Sequence, residues 1–259
     1  MTPPASPPLL ALGADGRATI TLHRPRHLNR LHREDLLALQ DHFNRITADP
    51  AVRVLVLTGS GRAFCAGFHL GELEESAGSA SEDPRLFEHT VDALEALPLP
   101  TIARLNGSVF GGATDLALAC DFRIGVHGME LRMPAARLGL HYYASGLQRY
   151  VSRLGLAAAK RLFLLAETVA ADELLRIGYL DALVRAAGLD AEVDAVATAL
   201  AANAPLAVRG MKLSLNGIAR GEVDLGGLRE REAVCAASAD LREGLAAFAE
   251  RRLPLFSGR

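Results

Sequence analysis

A glycine pair and a carboxylate lie close together along the chain, in a pattern that suits the binding of negative charge. The pair Gly111–Gly112 follows Thr101–Leu105, a short apolar run predicted to be a buried strand, and precedes an alanine- and leucine-rich stretch that favours helix. Gly112 is therefore expected in the first turn of a helix, where main-chain N–H groups lack helical partners and attract anions. Asp115 follows three residues later on nearly the same helix face. An anion donor and a carboxylate are thus predicted to face one spot.

A second glycine-rich bend comes earlier in the chain, after the apolar stretch Val52–Leu57. It reads G-x-G-x-A-F-C-A-G-x-x-L over Gly59–Leu70, and the later segment reads N-G-x-x-x-G-G-x-x-x-L-A-x-x-C-D over Asn106–Asp121. Either motif alone is weak, but the two in this order resemble the crotonase superfamily, the enoyl-CoA hydratase and isomerase family. The resemblance continues through Pro134–Arg149 and a C-terminal F-A-E-R-R, so it covers nearly the whole chain.

The resemblance implies an α/β fold, a crotonase-like (ClpP/crotonase) spiral of ββα units with a C-terminal helical oligomerisation region. Residues 1–13, with four prolines, are expected to be a flexible tail. Residues 14–188 would form the core with the acyl-CoA site. Residues 189–259 would form helices that make a homotrimer, or a homohexamer of two stacked trimers.

The resemblance also implies a CoA thioester substrate and no separate cofactor. Its carbonyl would accept hydrogen bonds from two main-chain N–H groups, at the positions of Phe68 and Gly112, which stabilise a thioester enolate. Such donors typically contribute about 3 kcal/mol each to the transition state. Further substrate- or CoA-binding positions implied by the family are Arg26, His27, Arg62, Ala66, Gly67, Leu70, Gly111, Ala135, Tyr142, Tyr143 and Arg252.

Several of these assignments have an equally simple structural explanation. Arg26 and His27 lie in a loop that borders the CoA nucleotide in the family, but charges in a loop are commonly just solvated. Arg252 is expected near a helix end, where the macrodipole alone favours a cation. The stretch 72–83, rich in Glu, Ser, Gly and Ala, is expected to be either a mobile cover over the acyl pocket or a surface loop.

The proton-transfer residues match the family less well. A hydratase of this family usually has two glutamates, at the positions of Asp115 and Ala135, so here one is shortened and the other is absent. Asp115 is the best candidate for the acid/base, with helix capping as the alternative. His141 is a candidate second proton carrier. Tyr142 and Tyr143 would either donate hydrogen bonds to the acyl group or only narrow the pocket.

These substitutions leave three functional hypotheses. The leading one is an enoyl-CoA hydratase or isomerase with an atypical acid/base set. The second is another reaction through the same enolate, namely thioester hydrolysis, decarboxylation or carbon–carbon cleavage, which would suit the absent second glutamate. The third is a homologue that binds acyl-CoA without turnover.

The composition excludes several other classes of protein. The 259-residue chain is 50% hydrophobic and carries a net charge of −2 without a Lys/Arg block, which argues against a nucleic-acid partner. No uncharged apolar run reaches membrane-spanning length, and three cysteines fit free thiols in the cytoplasm. No metal is expected, because six histidines show no metal-ligand spacing along the chain: His23, His27, His32, His42, His89 and His127. His69 is interpreted as a pocket or turn residue.

Overall fold

Two sheets, nine α-helices and several short helical turns make up the part of the chain that the computed structural model describes, residues 6–72 and 83–259. The strands are β1 Leu9–Leu12, β2 Arg17–Leu22, β3 Val54–Gly59, β4 Ala63–Cys65, β5 Thr101–Leu105, β6 Ser108–Phe110, β7 Phe122–Val126, β8 Glu130–Arg132, β9 Thr168–Ala170 and β10 Ala182–Val184. The helices are α1 Arg33–Ala48, α2 Leu86–Glu95, α3 Ala113–Ala119, α4 Ala144–Lys160, α5 Ala171–Arg176, α6 Leu189–Ala201, α7 Pro205–Arg220, α8 Leu225–Ala237 and α9 Ala239–Glu250.

Three successive units wind the chain between the two sheets. The larger sheet has the order β1-β2-β3-β5-β7-β10, and the smaller sheet has the order β4-β6-β8-β9. Each unit therefore gives one strand to the larger sheet, the next to the smaller sheet, and then a helix. Strands β3, β5 and β7 pair in parallel, as do β4, β6 and β8. This is the predicted spiral of ββα units.

The apolar patterns explain why these elements pack as they do. All six residues of β3 are buried, which is typical of a parallel strand covered on both faces. In α1 an apolar stripe at helical spacing is buried in the hydrophobic core, and the helix packs against α2; the stripe consists of Leu36, Leu39, Phe43 and Ile46. In α3 all seven residues are buried, so this short helix lies in the middle of the protein.

Two parts of the larger sheet differ from the expectations drawn from the sequence. Residues 1–13 were predicted to be a flexible tail, but Leu9–Leu12 pair antiparallel with β2, from Leu9 opposite Thr21 to Leu12 opposite Ala18. The four prolines before it favoured the prediction of a flexible tail, but the short leucine-rich strand that follows them is stabilised by hydrogen bonds to β2. The strand β10 was not predicted either, because its three residues acquire strand structure only by pairing with β7.

Later helices follow the sequence closely. Gly155 interrupts α4 with a positive φ of 79° and a ψ of 160°, a conformation that glycine adopts readily. Helices α7 and α8 bury no residue within the single chain, although they carry several apolar side chains. Of the cover expected over residues 72–83, only Glu72 and Asp83 lie within the described residues.

No single helix among the described residues has the length and hydropathy needed to span a membrane. The segments Ala186–Ala201 and Pro205–Arg220 satisfy the length and composition only as a pair, and this pair is bent by 105°.

Candidate active site

The two glycine-rich bends come together in the structure. A side chain at Gly67 would place its Cβ 2.8 Å from the Phe110 carbonyl oxygen and 3.3 Å from the Gly112 nitrogen. Gly67 also has a φ of 90°, in the left-handed region. Glycine at position 67 therefore lets the main chain of one bend approach the main chain of the other.

The N–H groups of Phe68 and Gly112 are both available for a ligand. Leu31 pairs with Phe68 as an isolated bridge, in which the Leu31 N–H donates to the Gly67 carbonyl at 2.8 Å and the His69 N–H donates to the Leu31 carbonyl at 2.9 Å. This register leaves the Phe68 N–H unused. Within residues 6–72 and 83–259, neither it nor the Gly112 N–H donates to a protein group.

An aromatic wall, defined as Phe68, Phe87 and Tyr143, borders these two amides. The Phe87 ring packs on Gly112 so closely that a Cβ at position 112 would lie 2.6 Å from its tip. The ring centroids are 5.9 Å apart for Phe68 and Phe87, and 6.1 Å apart for Phe87 and Tyr143. Tyr142 stacks on Tyr143 with centroids 4.3 Å apart. The wall thus runs from one amide, past the other, to Tyr143.

Asp115, which the sequence placed on nearly the same helix face as Gly112, is completely buried, and its carboxylate is bound by neighbouring side chains. Its Oδ2 accepts a hydrogen bond from the Tyr143 hydroxyl at 2.5 Å and lies 2.7 Å from Nη1 of Arg149. Its Oδ1 has no partner among the described residues. Burial raises the pKa of the Asp115 carboxyl, while the Arg149 guanidinium and the Tyr143 hydroxyl oppose part of that rise.

The glycine at position 146 allows this arrangement. A Cβ there would lie 2.8 Å from Oδ2 of Asp115 and 2.5 Å from the Tyr142 ring. Gly146 therefore gives α4 the space to bring its next turn, with Arg149, against the carboxylate.

Arg149 is the central functional residue that sequence reasoning missed. It is 1% exposed and pairs with Asp92 at 2.7 Å and Glu95 at 3.1 Å as well as with Asp115. Asp92 and Glu95 share a face of α2 at i, i+3 spacing, but no spacing along the chain connects them with Asp115 or Arg149. The one local signal is an arginine one turn after Gly146, on a helix face that is otherwise buried.

Glu95 extends the buried charge network towards the C-terminal helices. It pairs with Arg153 at 2.9 Å and with Arg220 of α7 at 3.2 Å, in addition to Arg149. Burial alone would raise the pKa of Glu95, but the guanidinium groups outweigh it and lower the pKa, Arg149 most strongly.

The other predicted acid/base positions do not converge on Asp115. His141 is exposed, and its Nδ1 lies 2.8 Å from the carbonyl oxygen of the adjacent Tyr142. The structure thus brings Tyr143, and not His141, into contact with Asp115. Ala135 is buried at the start of a short 3₁₀ helix, Ala135–Leu138, and supplies no proton-transfer group.

The remaining predicted substrate-binding residues fall into two groups. Near the paired bends, Ala66 and Gly111 lie close together, with the Ala66 carbonyl oxygen 3.9 Å from the position of a Cβ at Gly111. The other positions are exposed at the surface, and they are Arg26, His27, Arg62, Leu70 and Arg252. Arg252 pairs there with Glu243 and Glu250, both at 2.6 Å.

Comparison with known proteins gives a consistent result. A family model described as "Enoyl-CoA hydratase/isomerase" matches residues 14–259. A crotonyl-CoA hydratase from Syntrophomonas wolfei is 34% identical over 239 residues, which cover 91% of this chain and 92% of that protein. A short-chain-enoyl-CoA hydratase from Clostridium acetobutylicum is 31% identical with the same coverage.

Solved structures agree with this likeness. An enoyl-CoA hydratase/carnithine racemase from Magnetospirillum magneticum matches with a TM-score of 0.91 at 28% identity, covering 99% of this chain and 97% of that one. An enoyl-CoA hydratase from Bacillus anthracis matches with a TM-score of 0.87 at 33% identity, covering 98% and 100%. The predicted family and fold are both confirmed.

Proposed function

The chain belongs to the enoyl-CoA hydratase/isomerase family, and we propose that it catalyses the addition of water to, or the isomerisation of, an enoyl-CoA thioester. The observation that carries this proposal is the approach of the two bends, with a Gly67 Cβ position 3.3 Å from the Gly112 nitrogen. The names of the relatives agree with it, since they include a crotonyl-CoA hydratase and a short-chain-enoyl-CoA hydratase.

The amides of Phe68 and Gly112 would hold the thioester oxygen. When a nucleophile adds to C3 or a proton leaves the acyl chain, negative charge develops on this oxygen. Donors that already point to that place stabilise the charge without reorganisation, and removal of one typically costs about 3 kcal/mol. Both donors belong to the main chain, so an unusual Phe68 side chain is compatible with the role.

Asp115 would not transfer a proton to the substrate directly; the Tyr143 hydroxyl, which Asp115 holds by a hydrogen bond, would do so. In hydration, the Tyr143 proton would leave its hydrogen bond to Asp115, and the Tyr143 O–H bond would break as a C2–H bond forms. A water oxygen bonds to C3, and its proton returns to the tyrosine oxygen. Burial first, and then the negative charge of Asp115, raise the pKa of Tyr143 above its usual value of 10, so the neutral phenol is the resting form and the tyrosinate left by proton transfer must be reprotonated by the water within the same turnover. The pairing of Asp115 with Arg149 fixes that hydroxyl in place.

CoA would lie along the exposed basic positions Arg26, His27 and Arg62, and Arg252 would reach its phosphates from a neighbouring subunit. Helices α7 and α8 would form the interface of a homotrimer or homohexamer, because their apolar side chains have no buried place within one chain. Sedimentation of the purified chain measures this assembly independently of activity.

Hydration of crotonyl-CoA tests the proposed reaction. We expect turnover by the unmodified chain, and a loss of at least about 100-fold in kcat for both Tyr143→Phe and Asp115→Asn. Tyr179→Phe is the matched control. The Tyr179 hydroxyl donates to the carbonyl of Thr114, which lies next to Asp115 on α3, but it makes no hydrogen bond to Asp115 itself. Tyr143→Phe with the kcat of the unmodified chain would contradict the role of Tyr143.

A second candidate is another reaction through the same enolate: hydrolysis, decarboxylation or carbon–carbon cleavage. The alanine at position 135 favours it, since the second carboxylate of a hydratase is absent. Turnover of malonyl-type or β-ketoacyl thioesters without turnover of enoyl thioesters would select this candidate. Acyl-CoA binding without any turnover across both panels would identify a non-catalytic homologue.

A further inference from the structure

Two histidines and a glutamate from separate segments converge next to the candidate active site. His32 lies just before α1, and His69 and Glu72 follow the first glycine-rich bend. One donor atom from each of the three lies within 4.8 Å of the other two. The imidazole rings stack with centroids 5.0 Å apart and an angle of 20° between their planes. We propose that His32, His69 and Glu72 bind one divalent transition-metal ion of the Zn²⁺ type.

The donor set suits that class of ion. Two imidazole nitrogens and one carboxylate oxygen, with positions left open for water, form a common zinc site, whereas Ca²⁺ and Mg²⁺ prefer all-oxygen ligands. Bonds of about 2.1 Å in tetrahedral geometry place neighbouring donors roughly 3.4 Å apart. Here Glu72 Oε1 lies 2.5 Å from Nδ1 of His32 and 4.0 Å from Nδ1 of His69. Shifts of less than about 1 Å would therefore bring all three atoms around an ion.

The surroundings of the cluster favour this adjustment. All three side chains are partly exposed, so an ion can reach them from solvent. The second oxygen of Glu72 accepts a hydrogen bond from the Arg33 N–H at 2.7 Å, which orients the carboxylate as second contacts do for metal ligands. Nδ1 of His69 accepts a long hydrogen bond from the Glu72 N–H at 3.3 Å, so this nitrogen is unprotonated and a metal bound to it would replace that contact.

The ion would join the two segments that hold the Phe68 amide. His32 follows Leu31 and His69 follows Phe68, and Leu31 and Phe68 pair directly with each other. A metal bound to both histidines would therefore cross-link the two segments one residue beyond the Leu31–Phe68 pair. Because an ion that binds only the folded chain stabilises it, Zn²⁺ should raise the unfolding temperature. This inference concerns a structural clamp and does not depend on the reaction proposed above.

Titration of the tag-free, full-length chain with Co²⁺ tests the site, since Co²⁺ reports its ligands in the visible absorption spectrum. We expect one Co²⁺ per chain, displaced by Zn²⁺, with affinity at least about tenfold lower in His69→Ala and Glu72→Gln. Glu72→Gln keeps an oxygen acceptor for the Arg33 N–H, so its fold should be preserved. His127→Ala removes an exposed histidine elsewhere and should bind as the unmodified chain does.

The unfolding temperature gives a second, independent result. Zn²⁺ should raise it for the unmodified chain and for His127→Ala, and should leave it unchanged for His69→Ala. Equal Co²⁺ affinity in the unmodified chain and His69→Ala would overturn the proposal. So would the absence of binding by a folded, unmodified chain.

Discussion

The two halves of the candidate active site are built from different parts of the polypeptide. One half uses the main chain of two bends, with Gly67 allowing the approach and the amides of Phe68 and Gly112 donating to no group in residues 6–72 and 83–259. The other half uses buried side chains, with Asp115 and Arg149 brought together from α3 and α4. The first half depends on the absence of a side chain at Gly67, which lets the two bends approach. The second half depends on opposite charges that are paired where solvent does not reach. The two halves should therefore respond to mutation in different ways.

Removal of Arg149 should have the largest effect on stability. Arg149→Ala leaves the buried Asp115 and Glu95 without their shared counter-ion, which typically costs about 3–5 kcal/mol. Urea unfolding measures this loss. Arg176→Ala is the control, because its pair with Glu173 lies at the surface and should be worth less than about 1 kcal/mol. Equal losses in the two variants would show that the buried network does not stabilise the fold.

Closure of the space between the bends should have the largest effect on the main-chain half. In Gly67→Ala the new methyl group would lie 2.8 Å from the Phe110 oxygen, so the bends must separate and kcat should fall by about 100-fold or more. Gly128→Ala is the matched control: it has a similar φ of 83°, with no atom within 4 Å of the added Cβ. If both variants lost the same activity, backbone strain and not the approach of the bends would be the cause.

The charged half should also be the acid-sensitive half. Because the pKa of Glu95 is lowered in the folded chain, its contribution to the free energy of unfolding is present above its ordinary value of 4.5 and is lost as the pH falls below it. Unfolding of Glu95→Gln and of the unmodified chain should therefore differ most near neutral pH, and this difference should shrink in acid. A constant difference from pH 7 to pH 3 would contradict a lowered pKa.

The smallest effect is expected at the side chain of Phe68. Phe68→Ala keeps the main-chain N–H and removes only part of the aromatic wall, so kcat for crotonyl-CoA should stay within roughly tenfold of the unmodified value. Steady-state kinetics of Phe68→Ala and Gly67→Ala with crotonyl-CoA allow a direct comparison of the two variants. A loss as large as that of Gly67→Ala would show that the ring, and not the amide, carries the function.

The same contrast explains what could be predicted from the sequence. The two bends depend on glycine positions and apolar runs, which are local features of the chain, and the spiral fold was implied by the family resemblance that these two motifs carry. The burial of Asp115 also had a local signal, since its neighbours in α3 are only Ala, Leu and Thr, a composition typical of a helix covered on every side.

Contacts between distant side chains had no such signal. Arg149 meets Asp92, Glu95 and Asp115 only because α2, α3 and α4 pack together. His32 and His69 are far apart in the chain, so a search for ligand spacing indicated no metal site, although the Leu31–Phe68 pairing brings them together. Chain spacing reports contacts within one element, and these sites are formed between elements.

The most direct test of the account is a crystal structure with a slowly reacting acyl-CoA bound. The account predicts that the thioester oxygen lies about 2.7–3.1 Å from the nitrogens of both Phe68 and Gly112, with the Tyr143 hydroxyl facing the carbons next to it. A thioester oxygen bound elsewhere, or held by only one of the two amides, would contradict it.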